Sequence, residues 1–517
     1  MADKTRFLQI VQDGYAFKGE AFKIGCAMLD AEVIPGADIL VPLKTMNRHG
    51  LIAGATGTGK TKTLQMLSEG LSKTGVPVLV MDIKGDFSGI AASGTVNDKI
   101  TERCQKLNIE FKPAGFPVEL LTLSTQRGAR LRATVSEFGP VLLSKILGLN
   151  DTQGGFVAMI FKYCDDNKLP LLDLKDFIKV LQYVSDEGKT ELEKTYGKIS
   201  TTSTGTILRK VIELQQQGAD TFFGELSFDI DDLLRKSNDA RGIISIVRVM
   251  DLQDRSKLFS TFMLQLLAEL YATLPEEGDP DKPKLVMFID EAHLIFQEAN
   301  EALLQQIETI IKLIRSKGVG IYFCTQNPMD IPAPVLAQLG MKVQHALRAF
   351  TAADRKSIKQ TAENYPETDF YKTEDLITQL GTGEALVTIL NEKGIPSPLV
   401  HCMMAPPMSR MDILTDQEIG DIVNRSEIAE KYNQVIDSQS AYEILMVKLD
   451  DAEKKTGEIK KQDKESKPGR RSTSKEKSVF DDPVVKSMTR TAGNTLVRTL
   501  LGVLGLGGRS RRPKSLF

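Results

Sequence analysis

The chain has 517 residues, 41% of them hydrophobic and 26% charged, which suffices to bury cores in roughly three domains. Its 66 Lys/Arg against 68 Asp/Glu leave a net charge of −2, which argues against a broadly basic nucleic-acid binder. Five widely spaced cysteines without a C-x-x-C pair argue against a disulfide framework or a zinc site, and for a reducing, cytoplasmic compartment. Residues 1–14 show no signal-peptide apolar run, and no stretch reads as a membrane span; Phe259–Leu274 comes nearest but contains Gln265 and Glu269.

In chain order, residues 1–45 read as short strands with turns at Gly14, Gly25 and Pro35-Gly36. Leu51-Ile52-Ala53 ends a buried strand, and Thr61–Lys73 carries Leu64, Leu67 and Leu71 at helical spacing. A second strand follows at Val78–Asp82. Residues 93–239 then read as mostly helical, with 19 basic and 21 acidic side chains and so no broad phosphate-binding surface. After them an α/β rhythm resumes. It runs through a strand at Gly242–Val249, a helix across Asp254–Thr273, a strand at Leu285–Asp290, a helix at Ala299–Ser316 and a strand at Val319–Cys324. Alternation of this length predicts a mostly parallel sheet covered on both faces. Gly383–Leu390 and Ser397–Met403, joined through Asn391–Gly394, predict a hairpin at the sheet edge.

The charge is unevenly spread: residues 1–450 carry a net −11 and residues 451–517 a net +9. Glu443–Lys461 reads as a charged helix and residues 462–482 as a flexible basic linker. Beyond it Val484, Met488, Ala492, Leu496, Leu500 and Leu504 form an amphipathic helix with Lys486, Arg490 and Arg498 on another face. Such a helix can dock on the body or on a second copy; a membrane surface or nucleic acid is the alternative.

Between the first strand and its helix lies Gly54-Ala55-Thr56-Gly57-Thr58-Gly59-Lys60-Thr61, which fits G-x-x-x-x-G-K-[ST]. A strand, a glycine-rich loop and a helix N-terminus make a phosphate cradle, because backbone N–H groups converge there. Residues Gly54 to Lys62 are thus the expected nucleotide-binding set, for ATP with Mg²⁺. Lys60 would reach the β/γ-phosphates, and Thr61 would offer its hydroxyl to the Mg²⁺. The complementary half is Leu285–Ile289 followed by Asp290-Glu291-Ala292-His293. Asp290 is expected in the Mg²⁺ shell and Glu291 as the group that activates water. His293 reads as a structural histidine or as one that touches the γ-phosphate network. Gln326, after the next strand, can contact the γ-phosphate or the attacking water, or be simply solvated. Arg348 and Arg355 are candidates to reach a neighbour's γ-phosphate, or surface charges. Asp82 and Asp86 either support the site or form a turn.

The order of these motifs resembles the HerA–FtsK superfamily of ring-forming P-loop motor ATPases. The likeness rests on His49–Thr61, on Asp290–His293 and on Thr325-Gln326. The stretches Leu313–Gly320 and Gln344–Phe350 look most like a bacterial HerA-like branch of the YjgR type. The likeness spans about residues 5–405 and takes in the basic C-terminal helix. It implies a RecA-like core, which falls on 46–92 and 240–405, while the pattern itself reads 93–239 as a helical insertion and 406–461 as a helical extension. It also implies a homo-oligomer, a hexameric ring, with hydrolysis completed by an arginine from the adjacent subunit. Arg355 sits most like the FtsK-type finger, with Arg348 as competitor. The β-barrel of HerA proper and the membrane spans and DNA-reading domain of FtsK have no counterpart in the sequence, so the parts that load DNA are expected to be missing or replaced.

The function expected first is a Mg²⁺-dependent ATP hydrolase working as a DNA translocase or helicase-like motor. The alternative is an ATP-switched assembly factor acting on protein or membrane partners, which the acidic body and basic tail would suit. An ATP-binding scaffold that barely turns over is a third reading.

Overall fold

The computed structural model describes residues 3–198, 200–252, 255–297, 301–451 and 454. The linker and amphipathic helix expected beyond residue 461 lie outside them. The described chain divides into two compact units, one of residues 3–131 and 228–434, the other of residues 132–227 with the chain from 435 onward.

The first unit is built on one twelve-stranded sheet. Its strands are β1 (Ala21–Leu29), β2 (Glu32–Pro42), β3 (Gly50–Ala53), β4 (Val78–Asp82), β5 (Val118–Thr122) and β6 (Ala129–Arg130), then β7 (Ile244–Arg248), β8 (Leu285–Ile289), β9 (Val319–Thr325), β10 (Met341–Gln344), β11 (Glu384–Thr388) and β12 (Val400–Met404). Their order is β2-β1-β12-β11-β10-β3-β9-β8-β4-β7-β5-β6. From β10 through β6 every pairing is parallel, whereas β11, β12, β1 and β2 pair antiparallel. Parallel strands need crossover helices on both faces and so are buried on both. Every residue of β3, β4, β8 and β9 is accordingly buried.

Three local expectations change. The chain begins with a helix, α1 (Lys4–Gly14), and not with a strand. Asp3 caps it by accepting from the Thr5 and Arg6 N–H groups, and Phe7 and Val11, one turn apart, are its buried side chains. Strands β5 and β6 fall in the stretch read as helical, because β5 pairs along its length with β7. The β11–β12 hairpin is interior, since β1 pairs with β12 and β2 becomes the edge. Sequence alternation reports a hairpin but not which strand will pair with its free side.

The second unit is helical. Helices Val135–Ile146, Asp151–Asn167, Leu174–Ser185, Lys189–Tyr196 and Thr201–Gln216 carry it. Those beginning at Val135, Asp151 and Leu174 each start from a reciprocal capping box, at Thr134, Asn150 and Asp173. Buried Asp176 accepts from the Tyr442 N–H (2.9 Å) and the Ser440 hydroxyl, tying the chain after residue 435 to these helices.

All five cysteines are buried free thiols. Among the described residues no helix is long and apolar enough to cross a membrane.

Candidate active site

Strand β3 lies between β10 and β9, and β9 separates it from β8. The loop after β3 and the residues after β8 therefore emerge at the same carboxyl end of the sheet, where open α/β sheets bind ligands. The glycine-rich loop occupies 54–59 and leads into α2 (Lys60–Lys73). Gly59 at the helix N-cap has φ +115° and Gly57 has φ +78°, values that side-chain-bearing residues rarely adopt. A Cβ on Gly54 would stand 2.5 Å from the His345 Cβ, so that position also needs the absence of a side chain. Gly57 meets nothing within 4 Å, leaving its backbone open to an approaching anion.

Lys60 is buried, and its Nζ donates to the loop's own carbonyls, Gly54 O at 2.6 Å and Ala55 O at 3.2 Å. Burial, then neighbouring Lys84, holds its ammonium below the usual lysine value. The Thr61 hydroxyl donates to Asp86 Oδ2 at 3.1 Å. Within the loop the Thr58 hydroxyl donates to Ala55 O at 2.7 Å, while Thr56 is exposed. Lys62 is engaged with Gln65 Oε1 (3.3 Å) and the Met411 carbonyl.

Lys60, Thr61, Asp86 and Asp290 line one small cavity over β4 and β9. Burial raises the Asp290 carboxyl to about 6 despite nearby Lys84. Glu291 follows in the left-handed region at φ +44°, an uncommon conformation for a residue with a side chain. Its carboxylate forms an ion pair with Lys84 and lies 3.4 Å from Gln326 Nε2 and 3.2 Å from His293 Nδ1. Burial pushes Glu291 up, but the Lys84 hydrogen bond and charge outweigh it and hold the carboxyl below its usual value. Asp82 accepts from the Gly85 N–H (2.7 Å) and Phe87 N–H (3.3 Å), so it shapes the turn after β4. That turn presents Lys84 and Asp86.

Sequence reasoning named Asp82 and Asp86 and passed over Lys84 between them. It also left His345 without a role. His345 is buried with its Nδ1 2.8 Å from the Glu384 carbonyl and its Nε2 2.9 Å from the Thr63 hydroxyl, which requires the proton on Nδ1. It thereby braces the first turn of α2. Arg348 and Arg355 stand apart, both exposed; Arg348 donates to Thr378 O at 3.1 Å.

The histidines set an acid limit. Burial lowers His345 to about 4 and does the same to His49, whose ring bridges the Ile311 carbonyl and the Ile321 N–H. Both are neutral when folded, so the stability they confer is complete above the unfolded value near 6.5 and is lost as pH falls towards 4. At pH 5 each should cost about 2 kcal/mol. Urea unfolding at pH 7 and pH 5 should show this difference shrinking by about that amount in His345→Gln.

The donor set suits a nucleotide phosphate chain with a divalent cation. The loop supplies backbone N–H groups and an ammonium hydrogen-bonded to its own carbonyls, and Thr61, Asp86 and Asp290 supply oxygen ligands of the kind magnesium takes. The sheet order, the glycine loop and the acidic pair define a P-loop ATPase. The chain belongs to the family described as Helicase HerA-like C-terminal, whose model matches residues 29–512.

Among curated relatives, it is 21% identical over 371 residues to the DNA double-strand break repair helicase HerA of Sulfolobus acidocaldarius, covering 71% of this chain and 67% of that protein. The HerA of Sulfurisphaera tokodaii is 22% identical over 366 residues, covering 68% and 65%. The chain thus spans about two thirds of the length of these relatives. Among solved structures, the plasmid coupling protein TrwB in complex with ADP and Mg²⁺ shares the fold, with a TM-score of 0.51, 15% identity and coverage of 78% of this chain and 98% of that one.

Proposed function

We propose that the protein is a Mg²⁺-dependent ATP hydrolase that works as a ring, a hexamer, and moves DNA. The observation that carries the hydrolase is the convergence of Lys60, Thr61 and Asp290 on one cavity, with Glu291 and Gln326 in mutual contact beside it. The loop N–H groups and Lys60 would bind the β/γ-phosphates, while Thr61 and Asp290 would hold the magnesium ion. The ion would offset phosphate charge as the leaving group departs. Glu291, kept ionised, is placed to take a proton from water, and Gln326 to orient that water. Displacing Lys84 from Glu291 would free the carboxylate for this work. DNA as the load is supported by the family and by the names of the relatives.

ATP turnover with and without single- and double-stranded DNA, across several salt concentrations, tests the motor. Stimulation is expected; its absence at every salt concentration discards DNA as the load. A particle size measured with ATP tests the ring, and a nucleotide-bound monomer would rule it out.

Lys84 adds a sharper expectation. Removing its charge lets burial dominate at Glu291 in the free enzyme, so Lys84→Ala should move the acid limb of the kcat/KM profile to higher pH. An unshifted limb would mean that Lys84 does not govern the Glu291 protonation state.

A further inference from the structure

At the other end of the same strands lies a cleft of about 490 Å³. Arg48 precedes β3, Arg315 precedes β9 and Lys342 lies in β10, so three adjacent parallel strands deliver cations to one place. Lys312, from the last turn of the helix Glu301–Ile314, and the exposed amide of Gln338 complete the polar wall. Among the described residues no carboxylate lines it.

The one acid that pairs with these arginines among the described residues is Asp279, whose Oδ1 lies 3.7 Å from Arg48 and 3.1 Å from Arg315. Asp279 pairs with two of the four cations of the cleft, Arg48 and Arg315, on a body whose residues 1–450 carry a net −11. Grouping like charges is unfavourable unless an anion offsets them. Arg48 shows the imbalance directly. Its side chain is only 20% exposed, and its Nε is buried with no hydrogen-bond partner. Burial, then neighbouring Arg315, pulls its guanidinium below the usual value. Lys342 is partly occupied, donating to Asn364 O at 2.9 Å, while Lys312 is exposed.

We propose that this cleft binds a ligand carrying two or more clustered phosphate groups, at a site separate from the P-loop. Arginine forks and lysine ammoniums are the side chains that bind phosphate oxygens, and the concave wall lets several of them act on one ligand. The inference is independent of the hydrolase reading, because the cleft lies at the amino ends of β3, β9 and β10 and the loop at their carboxyl ends.

The same chemistry is offered by a small polyphosphate and by a phosphodiester strand, and the test separates them. Full-length Lys60→Ala serves as parent, so that triphosphate binding at the P-loop is silenced. Binding of inorganic tripolyphosphate is measured by calorimetry, and binding of a fluorescein-labelled single-stranded oligonucleotide by anisotropy. Adding Lys312→Gln with Arg315→Gln should weaken binding about tenfold or more, and lower the salt slope by about one for each cation removed from the phosphates. Lys99→Gln, an exposed lysine outside the cleft, should change neither probe. A loss confined to tripolyphosphate identifies a small polyphosphate, and a loss that includes the oligonucleotide identifies a strand. Equal binding by the double variant and the parent, or no binding of either probe by the parent, overturns the proposal. Thermal melting confirms that the variants are folded.

Discussion

Glu291→Gln should bind ATP as tightly as the parent and hydrolyse it about 10²–10⁴-fold more slowly, the range that a positioned general base contributes. The amide keeps the size of the carboxylate and its reach to Gln326, so the pocket's shape is retained. What disappears is the negative charge that accepts the proton. Lys60→Ala separates the two halves of the site, because it should lose nucleotide affinity first. Steady-state turnover alongside calorimetric ATP binding gives both readouts. Normal hydrolysis by Glu291→Gln would remove Glu291 from the role of base.

The second large effect concerns a residue that works away from its own chain. Arg355→Ala should lower kcat by about 10³-fold or more if it reaches a neighbour's γ-phosphate, as arginine fingers do. Its exposure on the helix Ala352–Glu363 suits that reach. Arg348→Ala is the control, since its guanidinium already serves the Thr378 carbonyl. Mixing Arg355→Ala with Glu291→Gln gives the decisive measurement. Each is inactive alone, but at a mixed interface one copy supplies the arginine and the other the carboxylate. Recovered activity on mixing places the arginine in trans, and none at any ratio excludes it. If Arg348→Ala shows the larger loss and the complementation, the finger is Arg348.

Much of the candidate nucleotide site was legible because its chemistry is local. Residues 54–61 must be contiguous to form a loop with φ > 0 at Gly57 and Gly59, and contiguous constraints leave a pattern in sequence. Asp290 and Glu291 were legible for a similar reason, since a fully apolar strand ending in two acids marks a carboxyl end. Lys84 was missed because its partner is 207 positions away and its own stretch reads as a turn. His345 was missed because a buried histidine announces nothing until Thr63 and the Glu384 carbonyl are brought to its two nitrogens. The helix α1 was missed because its cap and two buried side chains were outweighed by nearby turn residues.

By itself, then, the sequence determined the phosphate loop, the acidic pair and the alternation that demands a parallel sheet, all set by residues near one another in the chain. Tertiary structure alone decided that β9 separates β3 from β8, which puts Gln326 beside Glu291. It likewise decided that Lys84 holds that carboxylate, and that Arg48, Arg315 and Lys342 meet in one cleft. Strand order and burial come from long-range pairing, and electrostatics follows burial, so neither could be read along the chain.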